Sequence, residues 1–337
     1  MPVKEPHSKK EHKLPAAAVG LNRFLDRIMP ILTPIGVAMG ILFPLFFIKL
    51  RPFIPWLFGT MTLSGALKLK VRDLALAVKN PLPIAVFFFT AHILMPIGIL
   101  FLSSLIFGND SDTVSGYVLI YSVPTAVSGF IWVAIFRGDS ALALALILLD
   151  TVLAPLVVPG TVKLLLGAKV TLDMTGMAIS LILMIVIPTI IGVALNELSK
   201  GAIPRAAGTG MGIFSKFCLV LLISANSAAV APQINLRNSR FWIIGAVCIG
   251  FVILGFSCGR LAGFMCRRFG LLGEKKKEKE VSVFFATGLR NTSAAMTLGI
   301  DFFPASAALP AVLGIIFQQT ICALMGRFYL GKIPSDL

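Results

Sequence analysis

Residues 281–300 read VSVFFATGLRNTSAAMTLGI. Both ends are apolar enough for a membrane-buried helix. The centre, Gly288–Leu289–Arg290–Asn291–Thr292–Ser293, instead carries a guanidinium, an amide and two hydroxyls. A helix needs about 20 apolar residues to cross the hydrocarbon core, and a charge at its midpoint costs about 2.5–3.5 kcal/mol on insertion scales. Such a segment is stable in a bilayer only if its polar centre faces protein or a watery cavity, where unwound backbone is also tolerated. A second stretch, residues 117–136 (YVLIYSVPTAVSGFIWVAIF), is interrupted in the same way, by Pro124 with Ser128 and Gly129 just after it.

The composition puts the rest of the chain in the membrane. Of 337 residues, 57% are apolar and 13% charged, and the mean hydropathy is +0.93. A soluble domain carries about 25% charged residues, so most of this surface faces lipid. Ten candidate spans can be marked, at 28–48, 52–67, 82–107, 117–136, 141–166, 177–196, 209–230, 241–265, 281–300 and 305–329. They predict an all-α polytopic membrane protein, because the runs are too long and their alternation too weak for a β-barrel. The first span does not read as a cleavable signal: it is long, it contains Pro30 and Pro34, and no small-residue cleavage site follows.

The net charge of +15, from 30 Lys and Arg against 15 Asp and Glu, would suggest nucleic acid in a soluble protein. Here its distribution reads as topology. With the N-terminus inside, the outer loops hold only Lys49, Arg51, Lys163, Lys169, Arg237 and Arg240. Lys216, Arg260 and Arg290 fall within spans, and every other Lys and Arg is inside. The positive-inside rule then predicts a multi-pass protein of an inner or plasma membrane with both termini cytoplasmic and no nucleic-acid partner. The sequence fits a monomer or a homodimer equally. The run EKKKEKE at 274–280 reads as a solvated cytoplasmic loop. Cys218, Cys248, Cys258, Cys266 and Cys322 have no metal-ligand spacing and read as small apolar packers.

The two halves repeat in rhythm. Residues 1–27 form a basic cytoplasmic segment, 28–166 a first five-helix repeat, 177–330 a second and 331–337 a cytoplasmic tail. An odd number of spans per repeat inverts one half against the other. The interruptions fall in corresponding spans, four and nine, and spans five and ten share a faint match, DTVLA at 150–154 against QTICA at 319–323. Inverted repeats with interrupted helices in matching places point to the binding site of a secondary transporter.

Four stretches then carry a resemblance to the bile acid:sodium symporter superfamily, across nearly all of residues 28–330. They are Ala91–His92–Ile93–Leu94–Met95–Pro96; Pro124 through Arg137–Gly138–Asp139–Ser140–Ala141–Leu142; Asp150–Thr151–Val152–Leu153–Ala154–Pro155; and Gly288 through Ser293. Their order and spacing are specific together, though none is alone. The resemblance implies panel and core domains, spans four and nine crossing at their broken centres, and alternating-access transport of organic anions, commonly driven by sodium. It also exposes departures. Sodium-using members place a Ser-Asn pair where this chain has Gly129 and Phe130, and hydroxyl ligands where it has Ala143 and Ile147. Their span-nine glutamate falls on Ala286, the glutamine four residues later on Arg290, and the span-three glutamine on His92. Apolar side chains supply no oxygen to sodium and a guanidinium repels it, so no cofactor is expected and sodium dependence is expected to be reduced or absent. On the substrate side Asn291 keeps the family asparagine, and a His-Asn pair becomes Gln318–Gln319.

Asp150 lies ten residues into span five and is the one acid read as deep in the membrane. Arg290 is the one base that cannot snorkel to an interface as Arg260 and Lys216 can. Opposite charges at that depth are expected to face the core interior, paired or near each other. Three readings follow: a structural ion pair replacing the sodium site; substrate carboxylate binding by Arg290; and proton coupling through Asp150 or His92. Thr125, Ser128, Thr292 and Ser293 flank the breaks, where half-helix N-termini offer N–H groups to an anion. Ser224, Asn226 and Ser227 read as bonds between helices.

These residues predict a carrier of a small organic anion. A non-transporting receptor or sensor is the alternative. Enzyme chemistry is disfavoured, because the sequence has no H-E-x-x-H motif, no Cys-His cluster and no second mid-span acid for an aspartic dyad. It also has no G-x-x-x-x-G-K-[ST] loop for ATP.

Overall fold

The computed structural model describes residues 16–72, 81–167 and 173–331. Lys4, Lys9, Lys10, Lys13, Lys79, Lys169 and the tail from 332 onward lie outside them. Helices α1 (Ala16–Leu42), α2 (Ile54–Ala66), α3 (Pro81–Phe107), α4 (Ser111–Ser122), α5 (Gly129–Ile135) and α6 (Ser140–Leu166) come first. They are followed by α7 (Met174–Leu198), α8 (Ala202–Val230), α9 (Ser239–Arg268), α10 (Lys276–Gly288), α11 (Thr292–Phe302) and α12 (Leu309–Leu330). Among the described residues, six helical rods are long and apolar enough to cross a membrane. Ile31–Leu42 and Pro44–Ala66 make a seventh only as a pair bent by 96°. Pro44 lacks an amide hydrogen and its ring clashes with the preceding turn, which ends α1 at Leu42. Leu45, Leu164, Leu198 and Phe328 are about four-fifths exposed, an apolar exterior that suits lipid and not water.

Several boundaries differ from the hydropathy reading. The first helix starts at Ala16, because Ala16–Leu21 is as good a helix former as the apolar run after it. The EKKKEKE run is not all loop: its last five residues form the first turns of α10. Proline also leaves its mark inside α3 and α7. Thr90–Leu94 and Ile182–Val186 are single π turns just before Pro96 and Pro188. A missing proline N–H relaxes the i to i−4 ladder and admits one extra residue, and π turns of this kind recur at functional sites. His92 sits in the first of them.

The helices pack in two groups. Helices α1, α2 and α7 all pack on α8, and α2 on α7, while α9, α10, α11 and α12 pack with α3, α4, α5 and α6. Between the groups run the contacts of α6 with α7, α1 with α12 and α8 with α11.

The crossing of two interrupted helices, the candidate functional site

Helices α4 and α5 are separated by residues 123–128, and α10 and α11 by 289–291. The first break follows from Pro124, which forces the residue before it out of helix; Val123 is extended at φ −66°, ψ 158°. The second has no proline. Leu289 is extended at φ −95°, ψ 113°, and the Asn291 side chain restarts the helix by accepting the Ala294 N–H at 3.1 Å. Gly288 lies against Phe256, where an added Cβ would come within 2.3 Å of the ring. The last turn of α10 therefore needs a residue without a side chain.

The two unwound strands meet. Thr125 and Arg290 form an antiparallel bridge, isolated among the described residues, Ala126 N–H donates to Leu289 O at 3.1 Å, and Asn291 N–H donates to Pro124 O at 2.9 Å. The Thr125 hydroxyl reaches Ala286 O and Leu289 O at 2.7 and 2.8 Å. Gln318 clamps the same backbone from α12: it accepts the Arg290 N–H at 3.2 Å and donates to Arg290 O at 2.9 Å. Each break thus satisfies the polar backbone that the other exposes, which makes both affordable in lipid.

Around this knot lie the buried charges. Asp150 is fully buried; one carboxylate oxygen is 2.7 Å from His92 Nε2 and the other accepts the Thr125 N–H at 2.7 Å. Arg290 is 1% exposed, and its Nη2 donates to Val123 O and to Tyr121 O, the latter at 3.3 Å. Its Nε and Nη1 have no hydrogen-bond partner, nor has Nδ1 of His92. Asp150 and Arg290 are linked through Thr125, whose N–H Asp150 accepts and whose backbone bridges to Arg290. The side-chain hydrogen bond of Asp150 is with His92. The arginine spends one nitrogen on main-chain carbonyls instead.

The remaining predicted positions divide by use. Thr125, Asn291 and Gln318 hold the crossing together. Gln319 accepts from Trp132 Nε1 at 2.9 Å and donates to Ser128 Oγ at 3.4 Å. Thr292 is buried and Ser293 half-buried in the first turn of α11. Gly129 opens α5, and Phe130 packs against the apolar cluster of Ala66, Leu69, Leu144, Leu148 and Val193. Ala143, Ile147 and Ala286 are buried without a side-chain oxygen, and the Ala286 carbonyl is taken by Thr125. Three partners escaped the sequence reading. The carbonyls of Tyr121 and Val123 are backbone and carry no residue signature. Glu280, read as part of the solvated loop 274–280, is instead 3% exposed and pairs with Arg260 and Arg267.

Comparison with known proteins agrees with this architecture. The model of the Sodium Bile acid symporter family matches residues 54–235. The Bacillus subtilis (strain 168) protein YbaS is 37% identical over 298 residues, 88% of this chain and 95% of that protein. A probable sodium/metabolite cotransporter, the chloroplastic BASS3 of Oryza sativa subsp. japonica, is 26% identical over 97% of this chain and 74% of its own length. YocS of Bacillus subtilis (strain 168), named an uncharacterized sodium-dependent transporter, is 20% identical over 94% of each chain. With a family match over more than half its length, on a helical membrane fold, the chain is a transporter-type protein, not an enzyme, and belongs to the Sodium Bile acid symporter family.

Proposed function

We propose that this protein is a secondary carrier of a small organic anion, working by alternating access, in which Arg290 supplies the positive charge that sodium supplies in its relatives. Its helices then form ten spans in two inverted five-helix repeats, 28–166 and 177–330. The α1, α2, α7 and α8 group is the panel, the other group is the core, and both termini are cytoplasmic in an inner or plasma membrane. The observation that carries the reading is a fully buried guanidinium at the crossing with Nε and Nη1 unpartnered. An unused buried donor is costly, and a carboxylate is the group best suited to satisfy it. Two related proteins are named as sodium-linked. In this chain Gly129, Phe130, Ala143, Ile147 and Ala286 give sodium no side-chain oxygen, so sodium dependence is weak or absent.

The 2.7 Å contact between His92 and Asp150 supports a second reading, in which this pair takes up a proton during the cycle. Uptake of small carboxylates into proteoliposomes separates the two. On the first reading, replacing sodium by potassium changes uptake little, and a steep, two-ion sodium dependence overturns it. Uptake driven by an imposed proton gradient, without sodium, favours the second. A ligand that binds but is never moved would make the protein a receptor.

A further inference from the structure

Ser293, Thr297 and Asp301 fall four residues apart on α11, so they share one helix face. Apart from Thr292, they are the polar residues of an otherwise apolar half-span. The stripe begins at the crossing, one residue after Thr292, and ends in the last turn of α11, at the end of the bundle that the loop charges assign to the outside. Its opposite wall belongs to the other helix group. Asn226 of α8 donates to Thr297 Oγ1 at 2.8 Å, with both residues buried. Arg51, in the 3-10 turn Ile48–Phe53 between α1 and α2, pairs with Asp301 at 2.7 Å, both side chains about one-third exposed. The Asn226 Oδ1 has no hydrogen-bond partner.

A permanent helix–helix interface in a membrane satisfies its polar atoms or replaces them with small apolar residues. This one does not: the Asn226 Oδ1 has no hydrogen-bond partner, and two single bonds hold the faces together. That pattern suits a seam that also exists in an open form, in which water reaches Asn226. We propose that the stripe Ser293–Thr297–Asp301, facing Asn226 and Arg51, is the outer access route to the crossing. Arg51–Asp301 and Asn226–Thr297 are its two-point clasp, closed in this structure. The proposal rests on the alternating-access reading, because a route that opens needs two helix groups that separate. Both bonds are individually modest, as a clasp that must release requires. An exposed ion pair biases an equilibrium by up to about fivefold, and a net hydrogen bond by roughly twofold to tenfold.

The test is outer-side labelling of Ser293→Cys in oriented membrane vesicles by a membrane-impermeant thiol reagent, with the protein bearing only its own five cysteines as the blank. With the clasp intact, labelling from the outside is slow. Asp301→Asn raises it about threefold and Asp301→Asn with Asn226→Ala about tenfold, while the exchange Arg51→Asp with Asp301→Arg returns it toward the starting rate. Arg51→Gln, which removes the same ion pair from the other side, must match Asp301→Asn; it gives an independent reading if one variant folds poorly. Outer labelling that is already fast with the clasp intact, or is unmoved by Arg51→Gln and Asp301→Asn, overturns the clasp. Labelling does not require transport. If the variants open the route but no solute is carried, the clasp stands and the carrier reading fails.

Discussion

His92 Nε2 and Asp150 Oδ1 lie 2.7 Å apart, with side chains 5% and 0% exposed. This places a histidine from the π turn of α3 directly on the one carboxylate buried in the middle of α6. The second oxygen of Asp150 holds the Thr125 N–H, so the acid also fixes the strand that follows Pro124. Through that strand it reaches the backbone of Arg290. One carboxylate therefore orders the crossing and offsets the arginine charge beside it.

Asp150→Asn should accordingly be severe. It removes the negative charge near Arg290, and breaking one member of a buried charge group typically costs about 3–5 kcal/mol. His92→Gln keeps a donor toward Asp150 and should cost less. If the charges of Asp150 and Arg290 compensate each other, adding Arg290→Gln to Asp150→Asn restores part of the loss, with a coupling of about 0.5–3 kcal/mol. Thermal unfolding of the four proteins in detergent measures it. Additive losses would show that the two charges are independent.

Arg290 itself can be examined in the wild-type background. If Nε and Nη1 bind the substrate, Arg290→Gln weakens apparent affinity by roughly 10- to 100-fold, the range of a hydrogen bond to a charged group. Arg290→Lys retains charge without the planar fork and falls between. Concentration dependence of uptake reads both. Unchanged half-saturation in Arg290→Gln, with a lower unfolding temperature, leaves the arginine a purely structural role.

The gross fold was legible because membrane helices advertise themselves. Pro124, Arg290 and Asp150 are conspicuous against an apolar background; the first two mark the helix breaks, and Asp150 lies in continuous helix beside them. What stayed hidden was of two kinds. Main-chain partners such as Val123 O and Leu289 O have no residue code, so the bridge between the breaks could be expected only from the resemblance. Pairing across distant segments was also ambiguous. Asp150 had Arg290 and His92 within the same predicted neighbourhood, and register alone did not say which would make the contact. Glu280 reads as solvated because it closes the charged run 274–280, whereas in the structure Arg260 and Arg267 fold over it.

The packing of α4 gives a contrast between two glycines. At Gly116 an added Cβ would sit 2.1 Å from Ala307 O, a main-chain atom that cannot swing away, and 3.0 Å from Pro310 Cγ. Gly116→Ala should lower stability by about 1–3 kcal/mol, the usual cost of overpacking. Gly160, exposed inside α6, has nothing within 4 Å of its added Cβ. Gly160→Ala should be neutral or stabilising by up to about 1 kcal/mol through helix propensity. Unfolding temperatures of the two variants should move apart, and equal effects would contradict this packing.

Asp110 offers a pH-dependent contribution outside the spans. It caps α4 by accepting the Thr113 N–H at 3.3 Å and pairs with Arg240 at the start of α9. Partial burial works against the carboxylate, but Thr113 and Arg240 outweigh it and hold its pKa below the ordinary 3.8. A depressed folded-state pKa stabilises the native protein fully above the unfolded value, and this stabilisation disappears as pH falls through the folded one. Wild type should therefore lose a small increment on acidification below about pH 4. Asp110→Asn still caps the helix but lacks the charge. It should start lower at neutral pH by roughly 1 kcal/mol or less, as for a surface pair, and should lack that increment of acid sensitivity. Asp110→Ala loses the cap as well, for about 1 kcal/mol more. Unfolding temperature against pH for the three proteins decides it: the wild-type and Asn curves should converge in acid, and parallel curves would mean that the Asp110–Arg240 pair contributes nothing to the fold.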